Sequence, residues 1–409
     1  MSGGATATAA ARDLRVPPFH MLAKPSGPDC NLACTYCFYL RKAALFADER
    51  PRMSPQMLEA YVRQLFEAQR GREVHLAWQG GEPTLMGLDF FERAVDLARR
   101  HARPGQRVSH SFQTNGVLLD ERWCAFLKRH DFLVGVSIDG PGFVHDRYRV
   151  NRGGGATHAQ AVRAFRLLAA HGVRANVLCT VNAANEGRPH DVYRHFRDDL
   201  RADYVQFIPV VERAAPTGGE GESRPPVSAA SVDPNRFGRF LVAIFEEWSR
   251  NDVGRVTVGN FEAVAANLLG APATVCVFAE TCGGAPVIEH NGDVYSCDHY
   301  VDGSHRLGNI LDVPLAEMMA SARQAAFGAM KRDALPRQCR ECRFLRLCRG
   351  ECPKNRIADG AGAPAGVNYL CAGYRHFFGH VERPVGRIVA LFRAGRTAGE
   401  VMAALAGRD

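Results

Sequence analysis

No stretch of this 409-residue chain comes near the roughly eighteen consecutive apolar residues that a membrane-spanning helix needs. Its first residues, MSGGATATAAARDLRV, lack the basic start and apolar stretch of a secretory signal, so export is not expected. There is no internal repeat, and with 46% hydrophobic and 23% charged residues the chain is neither disordered, collagen-like nor a coiled-coil rod. Charge of one sign is scarce as well: a net +8 spread over this length makes no case for a nucleic-acid partner. The expectation is a cytoplasmic globular protein, long enough to bury a full core. What it has in excess is cysteine. Thirteen thiols in a reducing compartment do not persist as disulfides, so metal binding or catalysis must account for them.

From about 18 to 210 short β-rich runs alternate with amphipathic stretches. Residues 18–24, 73–78, 107–115, 132–138, 173–181 and 203–209 read as strands, and 55–70, 88–102, 120–130, 157–171 and 190–199 as helices. That alternation implies an α/β fold, a parallel sheet with crossover helices. Six units make an open or partial barrel with its chemistry at the carboxyl ends of the strands. Residues 212–233, rich in Gly, Pro and Ser, read as a linker, and 234–251 as a helix. The region 276–371 is cysteine-dense and aperiodic, where bound metal replaces a hydrophobic core. The closing stretch RIVALFRAGRTAGEVMAALAG reads as one or two short surface helices. The expected division is a tail at 1–17, the barrel at 18–235, a connecting helical segment at 236–275, the cysteine-rich domain at 276–380 and a helical tail at 381–409.

Cys30, Cys34 and Cys37 stand as CNLACTYC in the loop after the first strand. Three soft ligands on a short loop can hold three irons of a cubane and leave the fourth open, whereas a structural zinc would want a fourth ligand nearby. Downstream, Cys276, Cys282, Cys297, Cys339, Cys342, Cys348, Cys352 and Cys371 make eight, enough for two complete four-thiolate sites. A zinc ribbon on Cys339, Cys342, Cys348 and Cys352 is the simpler alternative. Only Cys124 and Cys179 are left over, in a helix and a strand, as buried apolar-like thiols. Nine basic residues from Lys331 to Arg356 interleave with the last cysteines against Asp333, Glu341 and Glu351. Near a thiolate-ligated cluster, positive charge favours the reduced state.

CNLACTYCFY followed by WQGGEPTL resembles the radical SAM superfamily, and the downstream cysteines resemble its SPASM extension. With LAKPSGPDCNLACTYCFYL, QTNGVLLD, FLVGVSIDGP and NGDVYSCDHYV the chain is similar, from residue 20 to about 378, to anaerobic sulfatase-maturating enzymes. The resemblance implies a partial (β/α)6 radical SAM barrel followed by a SPASM domain, with three 4Fe-4S clusters and S-adenosyl-L-methionine as cofactors. Cys30, Cys34 and Cys37 would hold the first cluster. Cys276, Cys282, Cys297 and Cys352 would hold one auxiliary cluster, and Cys339, Cys342, Cys348 and Cys371 the other. Tyr36, Gln79, Gly80, Gly81, Glu82, Ser137 and Arg163 would contact the cofactor, the two glycines by close backbone approach and Arg163 at the carboxylate.

The implied reaction uses a 5′-deoxyadenosyl radical to oxidise a serine or cysteine of a sulfatase to Cα-formylglycine. The partners implied are a sulfatase polypeptide with a CxPxR or SxPxR motif and an electron donor such as flavodoxin or ferredoxin. Asp298 takes the position of the proton acceptor, while His299 would point the other way in an extended segment. Gln113, Thr114 and Asn115 either line the site or form a turn. Two other functions stay open at this point. One is a SPASM maturase of another ribosomal peptide, although about seventeen residues before the first strand are too few for a leader-binding domain. The other is a non-catalytic metal-binding interaction protein.

Overall fold

The computed structural model describes residues 16–46, 51–213, 227–357 and 366–407. Six strands follow the sequence reading closely: β1 (Leu22–Lys24), β2 (Glu73–Trp78), β3 (Arg107–Thr114), β4 (Leu133–Ser137), β5 (Arg174–Val181) and β6 (Tyr204–Pro209). They lie in sequential order and all pair in parallel. The crossovers are α1 (Pro55–Ala68), α2 (Leu88–His101), α3 (Glu121–Arg129), the short turn α4 (Gly142–His145) with α5 (His158–Ala170), and α6 (Pro189–Arg194). Local chemistry sets their starts. The Ser54 hydroxyl accepts from Met57 N ahead of Pro55, and the Asp120 carboxylate accepts from Trp123 N. The partial barrel is held from outside by an aromatic seam in which Phe91 meets Trp78, Phe112 and Trp123 at ring separations of 5.5, 5.0 and 5.6 Å.

Two features depart from the expected plan. A seventh parallel strand, β7 (Thr257–Val258), lies between the helices α7 (Pro234–Asn251) and α8 (Gly259–Leu268) and extends the sheet past β6, inside the segment read as purely helical. On the other edge, β8 (Val287–Glu289) pairs in parallel with β1, and β9 (Asp293–Tyr295) and β10 (Arg306–Asn309) follow antiparallel. The cysteine-rich region therefore joins the barrel through one continuous ten-stranded sheet. Strands of two or three residues carry too little periodicity to register in the sequence.

The carboxyl-terminal helices also differ. One helix runs from Cys371 to Arg393 and buries Phe377, Phe378 and Val381 in its first half and Val385 and Ile388 in its second, so one face of it is core along most of its length rather than surface. The apolar spacing of three and four residues had been hidden by the cysteine at its start and by Pro384 inside it. It crosses α7 at glycines: a Cβ on Gly373 would stand 2.0 Å from Pro234 O, and one on Gly238 would stand 2.5 Å from Gly373 O. The linker read at 212–233 falls mostly on residues 214–226, outside the described residues. Its ends meet in an antiparallel bridge between Arg213 and Val227.

Candidate active site

The carboxyl ends of β1 to β6 surround a cavity of about 240 Å³ that Cys30, Cys34 and Cys37 open into, together with Tyr36, Gln79, Gly80, Gly81, Glu82 and Ser137. All nine residues expected there besides Arg163 meet at this one mouth, Ser137 from the end of β4 and the other eight from the loops that follow β1 and β2. Gln113, Thr114 and Asn115 line the same cavity, and the Gln113 amide donates to Ser137 Oγ at 3.0 Å.

The GGEP turn is built by packing on the loop before Cys30. Gly81 N donates to Gly27 O and Glu82 N to Asp29 O, both at 2.8 Å. A Cβ on Gly81 would stand 1.9 Å from Asp29 O, so this glycine is required by the contact between two backbones. Glu82 is fully buried. Its carboxylate accepts from Thr84 N, Thr84 Oγ1, Thr114 Oγ1 and Asn115 N at 2.7–3.0 Å, tying the turn to the end of β3. Its pairing capacity is thus spent on the turn.

Arg163 is not at the cavity. It sits on the outer face of α5, exposed, with its guanidinium on the carbonyls of Val117 and Leu119. The arginine in the cavity is Arg149, after the β4 loop. Asp139, with no solvent exposure, fixes it: Arg149 Nε lies 3.0 Å from Asp139 Oδ2, and Arg149 Nη2 donates to Thr180 Oγ1 at 3.0 Å. Tyr36 Oη donates to the same Asp139 oxygen at 2.5 Å, and Thr180 N to the other at 2.9 Å. Burial opposes the guanidinium charge, but Asp139 more than offsets this. The sequence signal for this arginine was SIDGP, whose aspartate directly follows a strand, and it was not used.

Lys24, the last residue of β1, also lines the cavity and, 1% exposed, forms an ion pair with Asp298. Burial raises the Asp298 pKa, and Lys24, with help from His299 and Lys42, outweighs it and holds the carboxylate below its usual range. The Lys24 ammonium also lies 3.8 Å from the centre of the Tyr39 ring, whose hydroxyl donates to buried Glu289. His299 is a correction. Residues Asp298–Tyr300 form a turn of 3-10 helix rather than an extended segment, so the imidazole faces the cavity, 4.9 Å from the Phe38 ring. Lys24, Phe38, Tyr39, Asp139 and Arg149 were all missed.

The remaining cysteines fall into two groups. Cys297 and Cys352 lie within electrostatic range of Cys276, and Cys297 of Cys282 as well. Cys348 lies close to Cys371 and Cys339, and Cys371 to Cys339 and Cys342, around a cavity of about 380 Å³. Burial pushes Cys30, Cys297 and Cys348 up to about 12, so a soft cation would be needed to hold them as thiolates. All thirteen cysteines are free, with Cys124 and Cys179 buried apart from the groups. Yet no three His, Cys, Asp or Glu side chains among the described residues converge tightly enough for a single metal ion. Cys352 sits with Cys276 and Cys297, which argues against the ribbon.

Two family models match: the radical SAM superfamily over residues 25–193 and an iron-sulfur cluster-binding domain, SPASM, over 280–343. Fold and thiol groups together define a radical SAM enzyme with cysteines for three iron–sulfur clusters. A serine-type anaerobic sulfatase-maturating enzyme of Bacteroides thetaiotaomicron is 42% identical over 377 residues, 89% of each chain. A cysteine-type enzyme of Clostridium perfringens is 33% identical over 374 residues, 89% of this chain and 96% of that one. The structure of native anSMEcpe with bound AdoMet and Cp18Cys peptide superposes with a TM-score of 0.82 at 31% identity, covering 92% of this chain and all (100%) of that one. The chain belongs to the anaerobic sulfatase-maturating enzymes.

Proposed function

We propose that this chain oxidises a serine or cysteine of a sulfatase polypeptide to Cα-formylglycine without oxygen, with Asp298 as proton acceptor. The observation that carries the reading is the buried Lys24–Asp298 pair, which stands next to Cys297 and against the cavity that Cys30, Cys34 and Cys37 open into. When bound, S-adenosylmethionine and the clusters supply radical removal of hydrogen from the target Cβ and an acceptor for the second electron.

This chain's own side chains do the rest. Arg149, aimed by Asp139 and Thr180, holds the cofactor carboxylate, and Tyr36, Gln79, Ser137 and the backbone of Gly80 and Gly81 shape the pocket around it. Asp298, kept ionised by Lys24, takes up the proton released from the substrate at a carboxylate oxygen. The grouping of the thiols supports Cys276, Cys282, Cys297 and Cys352 as one cluster site and Cys339, Cys342, Cys348 and Cys371 as the other.

The division of labour follows the barrel at 18–235 and the cysteine-rich domain at 276–380. A one-electron carrier such as flavodoxin or ferredoxin supplies the reducing equivalents, and exposed Arg375, beside Cys371 at the rim of the Cys339 cavity, supports docking of an acidic partner there. Free cysteines throughout, and no helix among the described residues long and apolar enough to cross a membrane, support a cytoplasmic site of action.

Anaerobic reconstitution with peptides bearing CxPxR or SxPxR, read by mass spectrometry, tests the function. The expected result is a loss of about two mass units from serine or about eighteen from cysteine after hydrolysis. In Asp298→Asn, release of 5′-deoxyadenosine should persist while aldehyde falls; unchanged aldehyde yield would remove Asp298 from the reaction.

A further inference from the structure

The nine basic residues around the last cysteines do not act alike. Arg332 pairs with Asp333, Arg337 with Glu341, Arg343 and Arg346 with Glu382, Arg349 with Glu280 and Lys354 with Glu212. All six retain some exposure, so their charges are both neutralised and screened by solvent. Lys331 is different. It is 0% exposed, near the end of the helix Ala322–Asp333, and its ammonium donates to the carbonyls of Cys276 and Val277 at 2.9 and 2.8 Å. It makes no ion pair with a carboxylate among the described residues. The negative groups that face it are Cys282 and Cys276, then Glu351 and Cys352.

A buried ammonium with only carbonyl partners is costly unless a buried negative charge offsets it. A four-thiolate iron–sulfur cluster carries such a charge, and gains one more unit on reduction. The other group of thiols has no equivalent. Arg375 beside Cys371 is exposed and Arg356 beside Cys339 is half-buried, while the buried carboxyl of Glu351 faces thiols of both groups, Cys348 in one and Cys276, Cys282 and Cys352 in the other.

We infer that Lys331 is a positioning residue for the electron: its buried charge raises the reduction potential of the cluster held by Cys276, Cys282, Cys297 and Cys352. That cluster is thereby made the acceptor beside Asp298, because no fully buried cation among the described residues faces the Cys339 group. The inference rests on the cluster assignment proposed above. Once the deoxyadenosyl radical has taken one hydrogen atom from the target Cβ, one proton to Asp298 and one electron to that cluster would complete the two-electron oxidation, and a cysteine target would then exchange sulfide for water.

The test is a redox titration of the anaerobically reconstituted full chain, followed by electron paramagnetic resonance, for the native protein, Lys331→Gln and Lys331→Met. Gln keeps a donor for the two carbonyls without the charge, whereas Met removes both. At unchanged iron and sulfide content, one of the three titrating components is expected to move to lower potential by a similar amount in both variants, with the other two in place. Unmoved potentials at full iron content would overturn the role of Lys331 while leaving the cluster assignment standing. A shift in Met alone would assign the effect to the hydrogen bonds and overturn the charge argument. Loss of one cluster's iron in both variants would make the lysine a scaffold only, and a native chain without iron would remove the assignment beneath the inference.

Discussion

Arg149 and Arg163 differ in sequence by fourteen positions and in structure by the two sides of the barrel wall. If the cavity arginine holds the cofactor carboxylate, Arg149→Lys loses a planar fork fixed by Asp139 and weakens S-adenosylmethionine binding by about 10- to 100-fold. Arg163→Lys should leave it within about twofold, since only carbonyls of the outer surface lose a partner. Equilibrium dialysis of both variants separates them. His110 offers a second measurement. It is buried, stacked 4.6 Å from Phe132, and burial, with smaller effects of His75, His130 and Arg99, lowers its pKa from 6.5 to about 3. The unfolded chain takes up a proton below pH 6.5 that the folded one refuses until about 3. Stability from this site is therefore complete above pH 6.5 and lost as pH falls through that window. Urea melts at pH 7 and pH 5 should show a smaller loss in His110→Phe than in the native chain.

The elements that the sequence made legible are those long enough to show a period. Strands β2 to β6 and the crossover helices could be placed to within a few residues because apolar alternation of two, or spacing of three and four, repeats in each, whereas β1, read as 18–24, shrinks to Leu22–Lys24. Three kinds of feature were not legible. Strands β7 to β9 are two or three residues long, so pairing partners, not propensity, define them. The helix Cys371–Arg393 announced itself only in its second half. And the turn at Asp298–Tyr300 reversed the direction assigned to His299, because a period of two was assumed where the chain turns with a period near three. The cysteines were legible as ligands through their number, yet which four belong together depends on chain crossings that spacing does not encode. One element-scale prediction follows from the glycine crossing. Gly373→Ala places a methyl group 2.0 Å from Pro234 O, forcing α7 and the Cys371 helix apart at a cost of about 1–3 kcal/mol. A lowered urea midpoint together with reduced iron at the Cys339 group checks it, since Cys371 begins that helix.

At the scale of the whole molecule, the core continues from the barrel into the cysteine-rich region, with Phe278, Phe344, Tyr374 and Phe378 packed together beside the thiols. Bound iron would add its own binding free energy to the folding of 276–357, on top of this apolar packing. Removing it with a chelator under anaerobic reduction should therefore raise backbone hydrogen exchange in 276–357 by an order of magnitude or more while leaving α1 to α3 nearly unchanged. Equal exchange with and without iron would show that the region folds on its own.

Strand β1 is only three residues long, yet it is hydrogen-bonded to β2 on one side and to β8 on the other, and its last residue grips Asp298. The two halves are stitched along a shared seam. With that seam closed, an extended segment is the form of client expected to reach the mouth, so an unfolded sulfatase should be converted faster than the same chain already folded.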